Sequence, residues 1–303
     1  MPLISLREFA RRNGVDVAAI SRAVKAGRLP SVEGKIDLDQ AQPVWDRIKG
    51  PRARRCQQPV DGNELIAREV LPQWGSEKAP LTWYEPAGGT LQRHVVSAKS
   101  YGHGIGVGDV NGDGRNDIVT PQGWLEAPRD PRTGDWKMHP EFTMGQTGFI
   151  FVIDINEDGL PDLLTSNAHD YGIFWMEQRP DHTWVKHAID ESWSQAHAMT
   201  LVDLNADGRK ELLTGKRFMA HDGHDPGEHD PLGIYWYEYH KSEDGKSVVW
   251  SRHVVEYGSR AGGGMQIPVV DIDGDGDLDF AVGGKSGLFL FENLTKGQAR
   301  RNP

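Results

Sequence analysis

The sequence predicts a mainly β protein built from about five repeated units and preceded by a small α-helical domain. A nine-residue acidic loop occurs four times, beginning at Asp109, Asp154, Asp203 and Asp271. Each copy leads into a short apolar stretch that is typical of a strand. Residues 1–49 differ, because their apolar side chains recur at helical spacing.

Each acidic loop has the pattern of a calcium site. It places oxygen-bearing side chains at positions 1, 3 and 5, a backbone carbonyl at position 7, a carboxylate at position 9 and a turn-forming glycine at position 6. The predicted ligands are Asp109, Asn111, Asp113, Arg115 and Asp117; Asp154, Asn156, Asp158, Leu160 and Asp162; Asp203, Asn205, Asp207, Arg209 and Glu211; and Asp271, Asp273, Asp275, Asp277 and Asp279. Position 12 lacks the Glu of an EF-hand, so we expect the loops to join strands. An Asx-rich turn without a metal is the alternative, but four copies in register favour metal binding.

The spacing of the loops predicts the blades of a β-propeller. Successive loops begin 45, 49 and 68 residues apart, and each unit supplies about four strands. An earlier, partial copy begins at Asp61, and the last copy ends near Asn293 without room for a fourth strand. The sequence therefore predicts a propeller of about five blade units, two of them incomplete, over residues 61–295.

This region resembles the FG-GAP/VCBS-repeat β-propellers, through the acidic loops and the glycine-rich segment from Gly102 to Asp109. The first hypothesis is a calcium-stabilised module that binds a carbohydrate or a protein at the propeller face. Fungal aldos-2-ulose dehydratases contain a similar propeller. That resemblance implies the alternative of a metal-assisted sugar-active enzyme of the lyase or dehydratase type.

Three histidines and a lysine are predicted to line one channel. His103 and His197 each lie six residues before an acidic loop, at equivalent places on the expected inner strands. His169 follows its loop, and Lys216 lies near the corresponding place in the next unit. We predict catalytic or metal-binding roles for them, although any single histidine is more often structural. Histidines that recur on the fourth strand beside a Trp are expected to have a packing role: His94, His139, His187 and His253.

The longest spacing contains a His-rich insertion. His221, His224 and His229 lie among four acidic residues, a composition that suits zinc or another divalent metal. Their spacing matches no standard zinc signature, and a solvated loop is the alternative. If the insertion folds over the channel mouth, it completes a metal site with His169 or His197.

Residues 1–49 predict a winged helix-turn-helix. A capping box at Ser5 begins the first helix, and a turn at residues 13–14 precedes the second. Residues 29–36 would form a small wing, and a third helix would end at Ile48.

This segment resembles the excisionase-like winged helices of phage terminase small subunits and MerR-type regulators, which implies that its second helix enters the major groove of DNA. The predicted DNA-binding residues are Ser21, Arg22, Lys25, Arg28 and Lys35. Residues 1–55 carry 12 Lys/Arg and 6 Asp/Glu, whereas the remaining chain carries 22 and 38. A basic segment favours nucleic acid, and a solubilising cap or an accident of gene fusion is the alternative.

The remaining segments are a basic Pro/Arg linker at residues 50–60 and a predicted disordered tail at residues 296–303. Cys56 is the single cysteine of the chain, which excludes an internal disulfide. No apolar run is long enough for a membrane span, and the first residues lack a signal-peptide pattern. The chain as written is therefore expected to be cytoplasmic, whereas the propellers that it resembles are usually exported.

Overall fold

The computed structural model describes residues 3–13, 17–32, 34–48, 80–221 and 223–296. The chain divides into two compact units, Met1–Trp74 and Gly75–Pro303. The linker predicted at residues 50–60 and the start of the first partial blade, residues 61–79, lie outside the described residues.

The described residues of the amino-terminal unit form three helices and one two-stranded sheet. The helices are α1 (Leu6–Arg12), α2 (Val17–Lys25) and α3 (Leu38–Ile48), and the strands are β1 (Leu3–Ser5) and β2 (Lys35–Asp37). Ser5 caps α1, because its hydroxyl accepts the Glu8 N–H at 3.1 Å. The Asp37 carboxylate accepts the Asp39 N–H at 3.0 Å at the start of α3. The apolar faces of the helices meet in one core around Phe9 and Ile20, which are both fully buried.

The predicted wing is the part of this unit that the structure corrects. Residues 35–37 were expected to pair with the first half of the wing. They instead pair antiparallel with β1, and Ile36 faces Ile4 across the ladder. Only one isolated bridge, between Val32 and Lys35, links the two halves of the expected wing. The pairing with β1 buries Ile36 completely in the helical core, which an exposed hairpin would not do.

The second unit is mainly β and consists of five consecutive antiparallel sheets within residues 80–296. Sheet I contains β3 (Leu81–Ala87) and β4 (Thr90–Ser97); sheet II contains β5 (Gly106–Gly108), β6 (Asp117–Thr120), β7 (Gly123–Glu126) and β8 (Lys137–His139); sheet III contains β9 (Phe151–Ile153), β10 (Asp162–Ser166), β11 (Tyr171–Gln178) and β12 (Trp184–Ser194); sheet IV contains β13 (Ala198–Val202), β14 (Glu211–Gly215), β15 (Gly233–Lys241) and β16 (Val248–Tyr257); sheet V contains β17 (Val269–Val270), β18 (Asp279–Gly284) and β19 (Gly287–Phe291). Strands follow one another within each sheet, and every acidic loop joins the first strand of a sheet to its second. The last sheet has three strands, as the sequence predicts.

Neighbouring sheets approach each other through their first strands. Gly106 of β5 forms a parallel bridge with Ile150, beside β9, and a Cβ on Gly106 would lie 2.3 Å from the Ile150 carbonyl oxygen. A Cβ on Gly108 would lie 2.5 Å from the Cβ of Val152. The glycines of this segment are therefore needed for close backbone approach. The sheets stay open, and no closed barrel or propeller ring is detected among the described strands.

The apolar side chains fill the spaces between consecutive sheets. One cluster lies between sheets II and III around Leu163 and Phe174, the next lies between sheets III and IV around Leu164 and Leu212, and the last joins sheets IV and V around Leu213. Adjacent residues of β10 thus serve two different cores, as alternation along a strand requires. Every helix in the described ranges is too short to cross a membrane.

Candidate metal centre

The four acidic loops share one hydrogen-bonded shape. In the first loop, Asp109 Oδ1 accepts the N–H groups of Gly112 and Asp113 at 2.8 and 3.0 Å, and Asp109 Oδ2 accepts that of Gly114 at 2.8 Å. The Asp at position 1 accepts the position-6 N–H in the other three loops as well. The backbone therefore wraps around the first carboxylate in every copy.

Left-handed backbone at two positions gives the loops this shape. The glycines at position 6 have φ values between 83° and 92°, as the sequence predicts. Position 4 is also left-handed, even where it is Glu157 (φ 54°) or Ala206 (φ 60°), which the pattern did not reveal. In the third loop, ligand atoms of Asp203, Asp207 and Glu211 converge within 4.8 Å of one another. Asp271, Asp273 and Asp279 converge in the same way in the fourth loop.

The carboxylate at position 9 anchors each loop to its sheet. Asp162 is fully buried; its Oδ2 accepts the Ile155 N–H at 3.0 Å and its Oδ1 accepts the Gln178 N–H at 2.9 Å. Asp117 and Asp279 make both equivalent bonds, and Glu211 makes the first of them, with the Leu204 N–H. Burial raises the pKa of Asp162 to about 7. A bound cation would favour the charged form of this carboxylate.

The residues at position 7 differ in what their side chains do. Arg115 places its guanidinium on Asp113, a predicted ligand of its own loop. Arg209 instead reaches Glu157 in the preceding loop, at 3.4 Å. The first loop therefore holds an internal cation where a metal ion would compete.

The first residue of the predicted tail is bonded to the fourth loop, because the Lys296 N–H donates to Asp277 at 2.8 Å.

His103, His169 and His197 meet, although they belong to three different segments of the chain. One ring nitrogen of each lies within 4.8 Å of the others. The Nε2 atoms of His103 and His197 are 3.0 Å apart. His103 and His169 make an edge-to-face contact with ring centroids 4.9 Å apart. The structure thus brings together the three histidines that the sequence placed in one channel.

Hydrogen bonds at the other ring nitrogens orient two of these imidazoles. His103 Nδ1 lies 2.7 Å from the Thr147 carbonyl oxygen, and His169 Nδ1 lies 2.9 Å from Asp225 Oδ2. Both acceptors fix Nδ1 as the protonated nitrogen and leave Nε2 available as a metal ligand. Gly104 makes the first contact feasible, since it has a φ of 109° and a Cβ there would lie 1.9 Å from Thr147 Oγ1.

Burial favours the neutral form of two of the clustered imidazoles. Burial, together with the nearby positive charge of Arg217, lowers the pKa of His197 to about 3. Burial also lowers the pKa of His169, although the hydrogen bond with Asp225 opposes this change. Neutral imidazole is the form that binds a metal ion.

One segment of the chain that carries part of this site matches a known family. Residues 154–214 match the family model of the FG-GAP-like repeat. The matched segment runs from the second acidic loop to the end of the third loop's following strand, and it contains His169 and His197. No curated protein matches the chain. The FG-GAP-like repeat points to a β-propeller-type binding module.

The His-rich insertion folds against the FG-GAP-like repeat at His169. His221 stacks on His169 with ring centroids 4.5 Å apart, and Asp225 bridges their Nδ1 atoms at 2.9 and 3.0 Å. These three residues form a second group with metal-ligand spacing. Among the described residues, no such group includes His224 or His229. The insertion therefore contributes to the site through His221 and Asp225.

Lys216 is fully buried and is engaged by backbone and hydroxyl oxygens. Its ammonium donates to Ser194 Oγ at 2.8 Å and to the Gly227 carbonyl at 2.6 Å. Burial lowers its pKa, whereas the charges of Asp230 and Glu228 raise it. These bonds link the insertion to β12. The Lys216 amine is therefore engaged in structural hydrogen bonds with the insertion.

The recurring fourth-strand histidines pack against third-strand tryptophans. Their rings stack on those of Trp83, Trp124, Trp175 and Trp236 with centroid distances of 4.0–4.6 Å. In sheets II to IV the histidine Nε2 also contacts a glutamate of the third strand at 2.6–2.8 Å. A Trp-x-Glu pattern in the third strand signals this arrangement. The packing partner expected from the sequence was instead the Trp on the same strand as each histidine.

Sequence reasoning missed the residues that support the histidine cluster. Thr147 and Asp225 orient imidazoles, and Gln195 and Glu228 are buried close to His197 and the insertion. The local signal is the His-rich segment, which contains Asp225 and Glu228. Thr147 and Gln195 carry no repeat signal, because their contacts join distant parts of the chain.

The predicted DNA-binding residues belong to the separate amino-terminal unit. Ile20 and Ala23 of α2 are buried, while Arg22 and Lys25 are exposed on the same helix. Arg28 and Lys35 are exposed as well, and Ser21 is partly buried.

Proposed function

We propose that the β unit is a calcium-stabilised, β-propeller-type module that binds a carbohydrate at a transition metal ion held by His103, His169 and His197. The observation that carries this proposal is the meeting of the three imidazoles in one half-buried cluster. Binding of a protein at the propeller face is the alternative.

The donor set fits a transition metal such as zinc. Zinc binds imidazole nitrogens at about 2.0–2.1 Å, which places two ligand nitrogens roughly 3.3 Å apart. The 3.0 Å between the Nε2 atoms of His103 and His197 is close to that separation. Three protein ligands leave an open position, at which a bound metal would act as a Lewis acid toward a ligand oxygen.

A carbohydrate suits the groups around the cluster. Arg217 offers a cation, and Asp225 offers carboxylate oxygens beside His169 and His221. Hydroxyl groups bind to such mixed donors and acceptors, whereas a protein surface needs a wider apolar patch. The side-by-side first strands of sheets II and III support the propeller-type arrangement.

Calcium in the acidic loops is supported by their oxygen donors. The convergent carboxylates of the third and fourth loops are hard ligands, which calcium prefers. A cation that binds only to the folded protein raises its melting temperature by mass action.

Metal analysis and melting curves test both metals. Protein purified without chelator should contain a transition metal, and His103→Ala should remove it, whereas the exposed-residue control His240→Ala should retain it. Calcium should raise the melting temperature relative to EDTA. Asp207→Asn should diminish that rise, and Asp135→Asn, at an exposed position away from the loops, should leave it unchanged. Wild-type protein without a transition metal would refute the histidine site, and equal melts with calcium and EDTA would refute the calcium loops.

A metal-assisted sugar-active enzyme of the lyase or dehydratase type is the second candidate. It is favoured by the His169–Asp225 pair, because a carboxylate that orients an imidazole is a common feature of general bases. A screen for eliminated sugar products tests this candidate. Asp225→Asn should reduce turnover and leave metal content in place, and wild-type protein without turnover would refute it.

DNA binding by the amino-terminal unit is favoured by the exposed basic side chains of α2. If it is a helix-turn-helix, Arg22→Ala and Lys25→Ala should weaken DNA binding and reduce its dependence on salt concentration. Unchanged DNA affinity in both variants would remove this role.

A further inference from the structure

Arg217 lies beside the histidine cluster without a carboxylate partner. Within the described part of the chain, its side chain contacts Met265 Sδ at 3.2 Å and His169 Nδ1 at 3.1 Å, and its Nε is buried without a hydrogen bond. His169 Nδ1 already faces Asp225, so it cannot satisfy the guanidinium as well. Burial lowers the pKa of Arg217, and the charges of Asp225 and Glu228 oppose this change without pairing directly with the guanidinium. A half-buried guanidinium without a directly bonded anion is costly, because it has lost water.

Gln195 is a second buried group without partners. Its side chain is fully buried, and neither its amide oxygen nor its amide nitrogen makes a hydrogen bond. Its backbone has a φ of 65°, and its carbonyl accepts the N–H groups of His197 at 2.8 Å and Arg217 at 3.1 Å. Those two bonds hold Gln195 next to both residues.

Glu228 of the insertion completes the group. It is 1% exposed, and its Oε2 is buried without a hydrogen bond. Its other oxygen accepts the His221 N–H. Burial raises the pKa of Glu228, whereas the backbone N–H groups of His221 and Gly223 hold it below its usual value. The Gln195 amide lies nearby but makes no hydrogen bond with it that meets ordinary geometry. His197 Nδ1 is likewise buried without a partner. Buried polar atoms are seldom left unsatisfied, so their concentration in one place indicates a bound polar molecule.

We propose that Arg217, Gln195 and Glu228 form the recognition element for a sugar acid, which deepens the proposed carbohydrate function and rests on it. The guanidinium of Arg217 binds the carboxylate of the ligand. Gln195 offers both a donor and an acceptor to hydroxyl groups, and Glu228 accepts from a hydroxyl.

The pair of opposite charges selects this class of ligand. Arg217 alone would also attract phosphate or sulfate. The buried carboxylate of Glu228 repels a doubly charged inorganic anion but accepts hydrogen bonds from the hydroxyls of a singly charged sugar acid. A neutral sugar would leave Arg217 without an anion.

Calorimetry on full-length, metal-loaded protein tests the inference. Galacturonic acid should bind at least about tenfold more tightly than galactose, since a charge-assisted hydrogen bond is the main difference between them. Arg217→Gln should lower galacturonate affinity about tenfold or more and change galactose affinity less than about twofold. Arg260→Gln, at an exposed arginine, is the matched control and should bind both sugars as the wild type does.

Two further measurements keep the test decisive. Arg217→Lys retains the charge and should retain part of the preference for the acid. Comparing a galacturonate trimer with free galacturonate shows whether a chain end or a free sugar is the better ligand. Either result supports the inference if the acid binds more tightly than its neutral counterpart.

Equal binding of galacturonate and galactose by the wild type would overturn the inference, as would phosphate binding as tight as that of galacturonate. Unchanged galacturonate affinity in Arg217→Gln would also overturn it. These failures are distinguishable from failure of the proposed function, which would appear as wild-type protein that holds no metal at the histidines.

Discussion

Replacing Lys216 by Met tests whether the buried amine anchors the insertion or takes part in chemistry. Met has a similar length and keeps the packing, but it cannot donate. Ser194 Oγ and the Gly227 carbonyl, now 2.8 and 2.6 Å from the amine, would lose their donor.

The expected loss of stability follows from these two bonds. Hydrogen bonds to a charged group contribute about 1.5–3 kcal/mol each, and the variant recovers part of this because it no longer buries an ammonium group. A net loss of about 2 kcal/mol follows, which corresponds to a fall in melting temperature of roughly 4–8 °C for a unit of this size.

Thermal melting by circular dichroism measures the loss, and hydrogen exchange with mass spectrometry locates it. Amides of the insertion, residues 218–232, should exchange faster in Lys216→Met. Lys246→Met, at an exposed lysine, should match the wild type in both measurements. If Lys216→Met melts and exchanges as the wild type does, the anchoring role is wrong, and loss of activity in that stable variant would instead favour the catalytic role predicted from the sequence.

Three other variants test the core, the inter-sheet contacts and the site. Leu164→Ala, at a fully buried position between sheets III and IV, should lower the free energy of unfolding by about 3 kcal/mol in a denaturant titration; a loss below 1 kcal/mol would contradict that packing. Burial raises the pKa of Asp190, but hydrogen bonds from Ser192 and Tyr237 and the charge of Arg252 hold it below its usual value of 3.8. The stabilisation that the Asp190 carboxylate provides is therefore present above that value and is lost as pH falls through the folded-state pKa. Asp190→Asn should lower the free energy of unfolding by about 2 kcal/mol at pH 7, and this loss should shrink below pH 3.8. A loss of stability that does not change with pH would refute the charge-based origin. Gly104→Ala should displace Thr147 and weaken transition-metal binding in a calorimetric titration, and unchanged metal affinity would show that this close contact is not needed.

The repeat pattern predicted much of the β unit because it is a local signal. Each acidic loop joins two strands, and its turn needs a left-handed glycine at position 6. His103 and His197 lie at equivalent positions before the first and third acidic loops, and this equivalence was the basis for predicting that they face one channel. His169 was predicted in the same way, from its position after the second acidic loop and the strand that follows it.

Other parts of the site depend on contacts that leave no periodic trace. Lys216 looks like a pocket residue in the sequence, yet its partners are Ser194 and the backbone of the insertion. Gln195 and Glu228 become neighbours only after the insertion folds. The wing in the amino-terminal unit is shorter than predicted: Val32 and Lys35 pair across the bend, but β2 makes its other pairs with β1.

The anchored carboxylates at position 9 separate loop folding from ion uptake. Asp162 links Ile155 to Gln178 through hydrogen bonds within the chain, so these bonds by themselves can hold the second loop closed. An arriving ion would find preorganised oxygens, and its association would be governed by loss of its own hydration water and not by rearrangement of the chain. Ion exchange at such a loop would be fast and would leave the strands undisturbed, so occupancy would follow the surrounding calcium concentration without a folding step.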